Sequence, residues 1–307
     1  MSGKIRTVLG DVPASRITGA VTHEHTLLHG NSEIPKKRYI AEAMPALKKR
    51  LTHEFRELVK RGCNCFVDCN TAQGIRIPDE LHAIARATDM YLVLSTGYYV
   101  EASLTPRIKR SKVSEIAAFF AKDVTEGIGR SDVRAGVVKV SGNRYEIEPN
   151  EKKVFRAAAA VHRKTDVPIT THTPRGARNH VDFLEKLGVP PERVALGHIE
   201  VDPWEDIKYV ASKGAMMIFT NWGGKQWVPE DMIVAQIVDL VRLGYVRQIM
   251  ISVDMYLYWT GGRLKQRWPG GFLQIFDRVI PKLIKAGLRA KHIDTIVRDN
   301  PRRHLAF

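Results

Sequence analysis

The stretch Ile17-Thr18-Gly19-Ala20-Val21-Thr22-His23-Glu24-His25 sets the frame for the whole chain. It is a short apolar run that ends in His-x-His. Side chains two apart on a strand point the same way. His23 and His25 therefore offer two imidazoles to one point, with Glu24 turned to the other side. Neutral imidazoles suit zinc-like ions. A lone His-x-His is a weak signal, because surface and core histidines are common. It gains weight only where other strands end in matching ligands.

Further runs follow at regular spacing. Cys65 to Cys69, Tyr91 to Ser95, Gly136 to Val140, Val167 to Thr171, Val194 to Gly197, Ala215 to Phe219 and Gln248 to Val253 read as strands. They are continuous apolar runs, as expected of strands covered on both faces. Helical periodicity fills the intervals. It predicts helices over Ile40–Lys60, Pro78–Ala87, Val113–Glu126, Asn150–Lys164 with a capping Asn, Val181–Leu187, Trp204–Ser212, Asp231–Leu243 and Phe272–Ala286, with a short closing helix from Asp299. Eight strands alternating with helices over about 250 residues predict one (β/α)8 TIM barrel, residues 1–307 forming a single α/β unit. A doubly wound open sheet is the alternative, but no Gly-x-Gly-x-x-Gly turn follows an early strand.

Candidate ligands recur at one end of that barrel. His23 and His25 end the first strand, Lys139 lies in the fourth, His172 ends the fifth, His198 the sixth and Asp254 the eighth. Barrel active sites sit at the C-terminal ends of the strands. Taken singly, Asp254 reads as a helix cap and Lys139 as a solvated strand end. Six at the same end is a poor match to chance. His53, His82, His162, His292 and His304 fall on helices, and His29 and His180 in loops or behind the site. The helical zinc motif His-Glu-x-x-His is absent, since Leu27 takes the second histidine's place.

Composition narrows the class. The 307 residues are 44% hydrophobic and 26% charged, which suits a globular protein. No apolar run reaches the roughly 18 residues of a membrane helix. Lys4, Arg6, Asp11 and Pro13 break up the first sixteen residues, so no signal peptide is expected and the cytoplasm is the expected location. Cys63, Cys65 and Cys69 crowd one segment, which suits buried thiols better than a disulfide framework, with a zinc pair as the alternative. The formal charge of +15 points to an anionic partner or to general surface basicity.

Gly19-x-x-Thr22-His23-x-His25, Val138-Lys139-Val140, Ile169-x-x-His172-Thr173, Gly197-His198, Ile251-Ser252-x-Asp254 and Asn300-Pro301-Arg302-Arg303 together resemble the phosphotriesterase-like branch of the amidohydrolase superfamily. The resemblance covers nearly the whole chain. It implies two divalent ions, Zn, Mn or Co, sharing a bridging hydroxide. His23, His25 and Asp254 would hold the more buried ion, and His172 and His198 the more exposed one. Lys139 would bridge them as N6-carboxylysine. An ammonium cannot bind a cation, but burial beside two cations favours the neutral amine, which can take up CO2. Two close ions acidify a shared water and polarise a carbonyl or phosphoryl oxygen. Asp254 would accept the attacking group's proton.

The loops bear on substrate. Tyr99 matches the tyrosine of lactone-hydrolysing members of that family, and a packing role is the alternative. Val201 stands where phosphotriesterases carry a relay aspartate, with Glu200 and Asp202 on either side, and Asn221 stands where many lactonases carry Arg. The loops after strands five, seven and eight are basic and aromatic. Arg175, Trp222, Lys225, Tyr256 and Arg263 are the candidate substrate contacts, and Arg178, Trp227, Lys265, Arg267 and Trp268 belong to the same loops. The expected activity is hydrolysis of a lactone or ester, with an anionic or phosphorylated lactone as one form of it and organophosphate triesters as side substrates. The rivals are a phosphotriesterase or phosphoesterase proper, a metal-dependent barrel nuclease, and a barrel that has lost catalysis. Lys139 argues against the nuclease, and the full ligand set against the retired barrel. By analogy with the family the chain is expected to be a homodimer, with no membrane or nucleic-acid partner.

Overall fold

The computed structural model describes residues 3–29, 33–223 and 227–307. Strands β1 (Lys4–Thr7) and β2 (Gly10–Pro13) form an antiparallel hairpin. The barrel strands are β3 (Ala20–Leu28), β4 (Cys65–Asp68), β5 (Tyr91–Gly97), β6 (Val137–Ser141), β7 (Ile169–His172), β8 (Val194–Gly197), β9 (Met216–Phe219) and β10 (Ile249–Ile251). Each pairs in parallel with the next. The ring closes just past β10, where Asp254 N donates to His23 O (3.1 Å) and His25 N to Met255 O (3.0 Å). The result is the TIM barrel that the alternation predicts.

The helices lie outside: α1 (Lys36–Lys60), α2 (Pro78–Thr88), α3 (Pro106–Arg110), α4 (Val113–Thr125), α5 (Pro149–Thr165), α6 (Ala177–Lys186), α7 (Trp204–Ser212), α8 (Glu230–Arg242), α9 (Ile280–Lys285), α10 (Ala290–Asp294) and α11 (Asn300–Leu305). α1 starts a turn before Ile40 and runs through Pro45, and it still buries Leu47, Leu51, Phe55 and Leu58. Asn150 is not the cap of α5. Pro149 takes the first helical position, and Glu151 reaches back to the N–H of Glu148 (2.9 Å), a capping box. The run expected as one helix over Phe272–Ala286 is a 3-10 turn, a π turn at Ile275–Val279 and then α9.

Two apolar layers hold this together. Phe55 on α1 meets Phe66 on β4 at 5.0 Å between ring centroids, and Phe66 meets Phe272 edge-on at 4.8 Å. Burying each such ring is worth roughly 1.5–3 kcal/mol. Inside the barrel, Ala20, Cys65, Val67, Val93 and Val137 fill the lower half, with Ile5, Ile17 and Leu305 beneath, and Cys69 of the same cluster reaches up to the cleft. All three cysteines are free and buried, as their crowding predicts. Burial pushes the Cys63 and Cys69 thiols up to about 12.

One irregularity in β3 aims the site. Val21 pairs with Phe66 and Glu24 with Asp68, so β3 spends three steps where β4 spends two. Such a bulge re-aims the side chains beyond it. Ala20 faces the barrel interior and Val21 the helix layer. Past the bulge, the odd-numbered His23 and His25 turn inward.

Beyond β10 the chain adds a second hairpin, β11 (Tyr256–Thr260) and β12 (Arg263–Gln266). β11 runs parallel to β3, with Tyr256 beside His25. Among the described residues no helix is long and apolar enough to cross a membrane.

Candidate metal centre

The upper end of the barrel interior is polar where the lower end is apolar. His23, Lys139, His172 and His198 are all buried there. Lys139 Nζ lies 2.7 Å from His23 Nε2. The His23 and His198 rings are 4.9 Å apart, and those of His172 and His198 are 4.4 Å apart. Asp254 Oδ1 is 3.4 Å from His25 Nε2 and 4.0 Å from His23 Nε2, while its Oδ2 is 4.0 Å from His198 Nε2. One donor atom each from His23, His25 and Asp254 lies within 4.8 Å of the others, a spacing that could hold an ion. Six residues from five strands or strand ends thus converge.

The backbone is shaped for this convergence. His198 and Asp254 both adopt left-handed φ, 66° and 54°. Such residues cluster at functional sites. Gly197 leaves room for His23, since a Cβ there would stand 2.5 Å from the His23 ring.

Partners outside the cluster orient the rings. His25 Nδ1 bonds Asn70 Oδ1 (2.7 Å), and His198 Nδ1 bonds Thr220 Oγ1 (2.7 Å). Each bond leaves Nε2 turned towards the centre. His198 Nε2 is buried and without a hydrogen-bond partner among the described residues. Metal-ligating histidines show this arrangement. The Thr220 hydroxyl donates in turn to Glu200 Oε1 (3.0 Å). His172 Nε2 faces Asn143 Oδ1 (2.8 Å) and Tyr99 Oη (3.0 Å).

The electrostatics keep the donors in the right form. Burial first, and then the Lys139 charge, hold His23 well below its ordinary value. Burial holds His198 at about 4 and His172 well below 6.5. Their imidazoles are neutral near pH 7, the form that binds cations. Burial opposes ionisation of Asp254, but the bond from His25 and the His198 and Lys139 charges hold it at about 2. Four imidazoles, a carboxylate and a lysine form a nitrogen and oxygen donor set of the kind that divalent ions take.

A cleft of about 510 Å³ opens above this cluster, with Tyr99, Asn143, Trp227, Tyr256 and Arg267 in its walls. The other expected substrate contacts fare differently. Trp222 is fully buried, and its indole N–H is bound to Phe219 O (3.1 Å), so it is a core residue. Its neighbour in sequence, Trp227, stands over His198 instead, at 5.2 Å between rings. Arg175 is exposed, has a left-handed φ of 67° and lines no part of the cleft. Arg263 is exposed at the tip of the second hairpin and does not line the cleft. Lys225 lies outside the described residues. Asn70, Asn143, Thr220 and Gln73 went unread in the sequence. Asn70 had a usable signal, since it follows β4 at the catalytic end.

The model of the phosphotriesterase family matches residues 3–305. The chain belongs to the phosphotriesterase family. This is a family of metal-dependent hydrolases, and the chain is a hydrolase of it. The aryldialkylphosphatase of Saccharolobus solfataricus is 31% identical over 237 residues, 73% of this chain and 74% of its own. The N-acetyltaurine hydrolase of Salmo salar is 25% identical over 350 aligned positions, covering 100% of this chain and 99% of its own. A mutant PTE-like lactonase from Deinococcus radiodurans superposes with a TM-score of 0.87 at 26% identity, covering 98% of this chain and 99% of that one. The family's members thus carry names for phosphate-ester, amide and lactone hydrolysis.

Proposed function

We propose that the chain is a binuclear metal hydrolase that opens lactones or cleaves simple esters, with organophosphate triesters as slower substrates. His23, His25 and Asp254 would hold one ion, His172 and His198 the other, and Lys139 would lie between them as N6-carboxylysine. Zn, Mn and Co all suit this donor set. When bound, the ions supply an acidified water and a Lewis acid for the carbonyl oxygen.

The chain's own groups do the rest. Asn70 and Thr220 fix the rings of His25 and His198. Asp254, held ionised, accepts the proton of the attacking water at its carboxylate. Burial keeps Tyr99 protonated, and its hydroxyl, 3.0 Å from His172 Nε2 in the cleft wall, would donate to the ring oxygen of a bound lactone. Trp227 and Tyr256 wall the cleft against water.

The observation that carries this is the meeting of His23, His25, Lys139, His172, His198 and Asp254 beneath a cleft that also presents Tyr99. The family's PTE-like lactonase supports the lactone, and its aryldialkylphosphatase supports the triester. The test is a panel of lactones, aryl esters and a phosphotriester followed with a pH indicator, before and after chelation. Turnover of lactone above triester, lost on chelation and regained with metal, is expected. Triester turnover above all lactones would contradict the lactone assignment.

A further inference from the structure

The positive charge of this chain is widespread, but little of it reaches the cleft. Among the described residues that line it, Arg267 is the one Arg or Lys, and Asp254 the one carboxylate. Arg175 and Arg263 do not reach it. Arg267 follows β12. Its N–H bonds Tyr256 O (3.2 Å), and Tyr256 pairs with His25 across the sheet. Arg267 is therefore one strand position removed from a candidate ligand. It also borders the smaller recess formed by His198, Trp227 and Trp268. Its charge is felt at both His198 and Tyr99.

The guanidinium is held in place. It lies 4.8 Å over the Trp268 ring and 5.3 Å over the Tyr256 ring, and Nη1 donates to Tyr256 Oη (3.1 Å). Two aromatic faces and the bond to Tyr256 help to set its plane, so little side-chain freedom remains to be lost on binding. A preset guanidinium matches the paired oxygens of a carboxylate-type anion.

We infer that Arg267 is a substrate-specificity residue, and that the natural substrate carries a carboxylate-type anion at the end remote from the scissile carbonyl. This deepens the hydrolase assignment above and takes its cleft as the substrate site. The anion docks on the Arg267 guanidinium between Tyr256 and Trp268, and the carbonyl then lies over Asp254 and His198. Neutral lactones lack the handle and bind only through the walls.

Binding decides this independently of turnover. Affinities of the metal-loaded protein would be measured by calorimetry for malonate, succinate, glutarate and adipate, and for the monomethyl ester of each. At least one diacid should bind 10-fold or more tighter than its monoester. Arg267→Gln should erase that preference, and Arg267→Lys should keep part of it. No preference in the wild type for any of the four, or a preference that survives in Arg267→Gln, would overturn the assignment. A second arm compares kcat/KM for a γ-lactone bearing a side-chain carboxylate and for its methyl ester. Arg267→Gln should lose 10-fold or more on the acid and little on the ester. An Arg267-dependent binding preference without any lactone or ester turnover would remove the reaction assignment and leave the anion site standing.

Discussion

Glu24 braces Asp254 from behind. The Glu24 carboxylate accepts the N–H of Val253 (2.7 Å) and of Met255 (2.9 Å), the residues on either side of Asp254, and the hydroxyl of Ser252 (2.7 Å). Ser252 Oγ in turn accepts the N–H of His23 (2.9 Å). One buried side chain thus ties the strand that carries two candidate ligands to the turn that carries a third. It also seals the barrel between its first and last strands.

Glu24→Gln should therefore cost both stability and activity. An amide has one acceptor oxygen, so its NH2 meets at least one of these donors and leaves it unpaired. A buried unpaired donor costs about 1–3 kcal/mol. Urea unfolding should show a loss of that size, and kcat should fall as Asp254 loosens. A variant with wild-type stability and turnover would show that the brace is dispensable.

Asp254→Asn separates chemistry from folding. Asn tolerates the left-handed φ of 54° and has nearly the same volume. The urea midpoint should hardly move, while kcat falls by a factor on the order of 10²–10⁴ with the loss of the proton acceptor. Unchanged turnover would take Asp254 out of the mechanism.

Lys139→Ala tests the bridge. Lys139 is 1% exposed, and no carboxylate is hydrogen-bonded to its Nζ among the described residues. Elemental analysis should show lower metal occupancy in the variant, and activity should return in part with added formate or acetate. Two tightly held ions and full activity without rescue would contradict a bridging Lys139.

A pH effect on stability is expected far from the site. His304 on α11 is buried, and neither ring nitrogen meets the geometry of a hydrogen bond among the described residues. Burial, then the charges of Arg193 and Arg303, hold it at about 3, below its ordinary 6.5. Between those values the unfolded chain binds a proton that the folded chain does not. Stability is thus whole above pH 6.5 and is lost as pH falls towards 3. Between pH 6.5 and 4.5, His304→Gln should reduce the measured loss by roughly 1–3 kcal/mol. Equal losses in both proteins would place the acid sensitivity elsewhere.

The barrel was legible because its strands are buried on both faces and so read as unbroken apolar runs, such as Ile169 to His172. The candidate histidines and Asp254 were legible because they end those runs, and Lys139 because a charge interrupts one. The second hairpin was not read, although Tyr256-Leu-Tyr-Trp-Thr alternates and Gly261-Gly262 is a hairpin turn, both glycines having positive φ (53° and 73°). With the hairpin unread, Arg263 at its tip and Arg267 beyond its second strand looked alike, though only Arg267 returns to the cleft. Trp222 and Trp227 were equally alike in sequence, because burial of one ring and not the other depends on the turn after β9. The supporting polar groups Asn70, Asn143 and Thr220 have no motif of their own and are defined only by what they touch.

The most direct measurement is the metal content of the purified protein, paired with hydrolysis before and after chelation. About two divalent ions per chain, with turnover lost on their removal and restored by Zn²⁺, Mn²⁺ or Co²⁺ together with bicarbonate, is the predicted result. A chain that takes up no ion under those conditions, or that hydrolyses its substrate equally well without one, would contradict the binuclear centre.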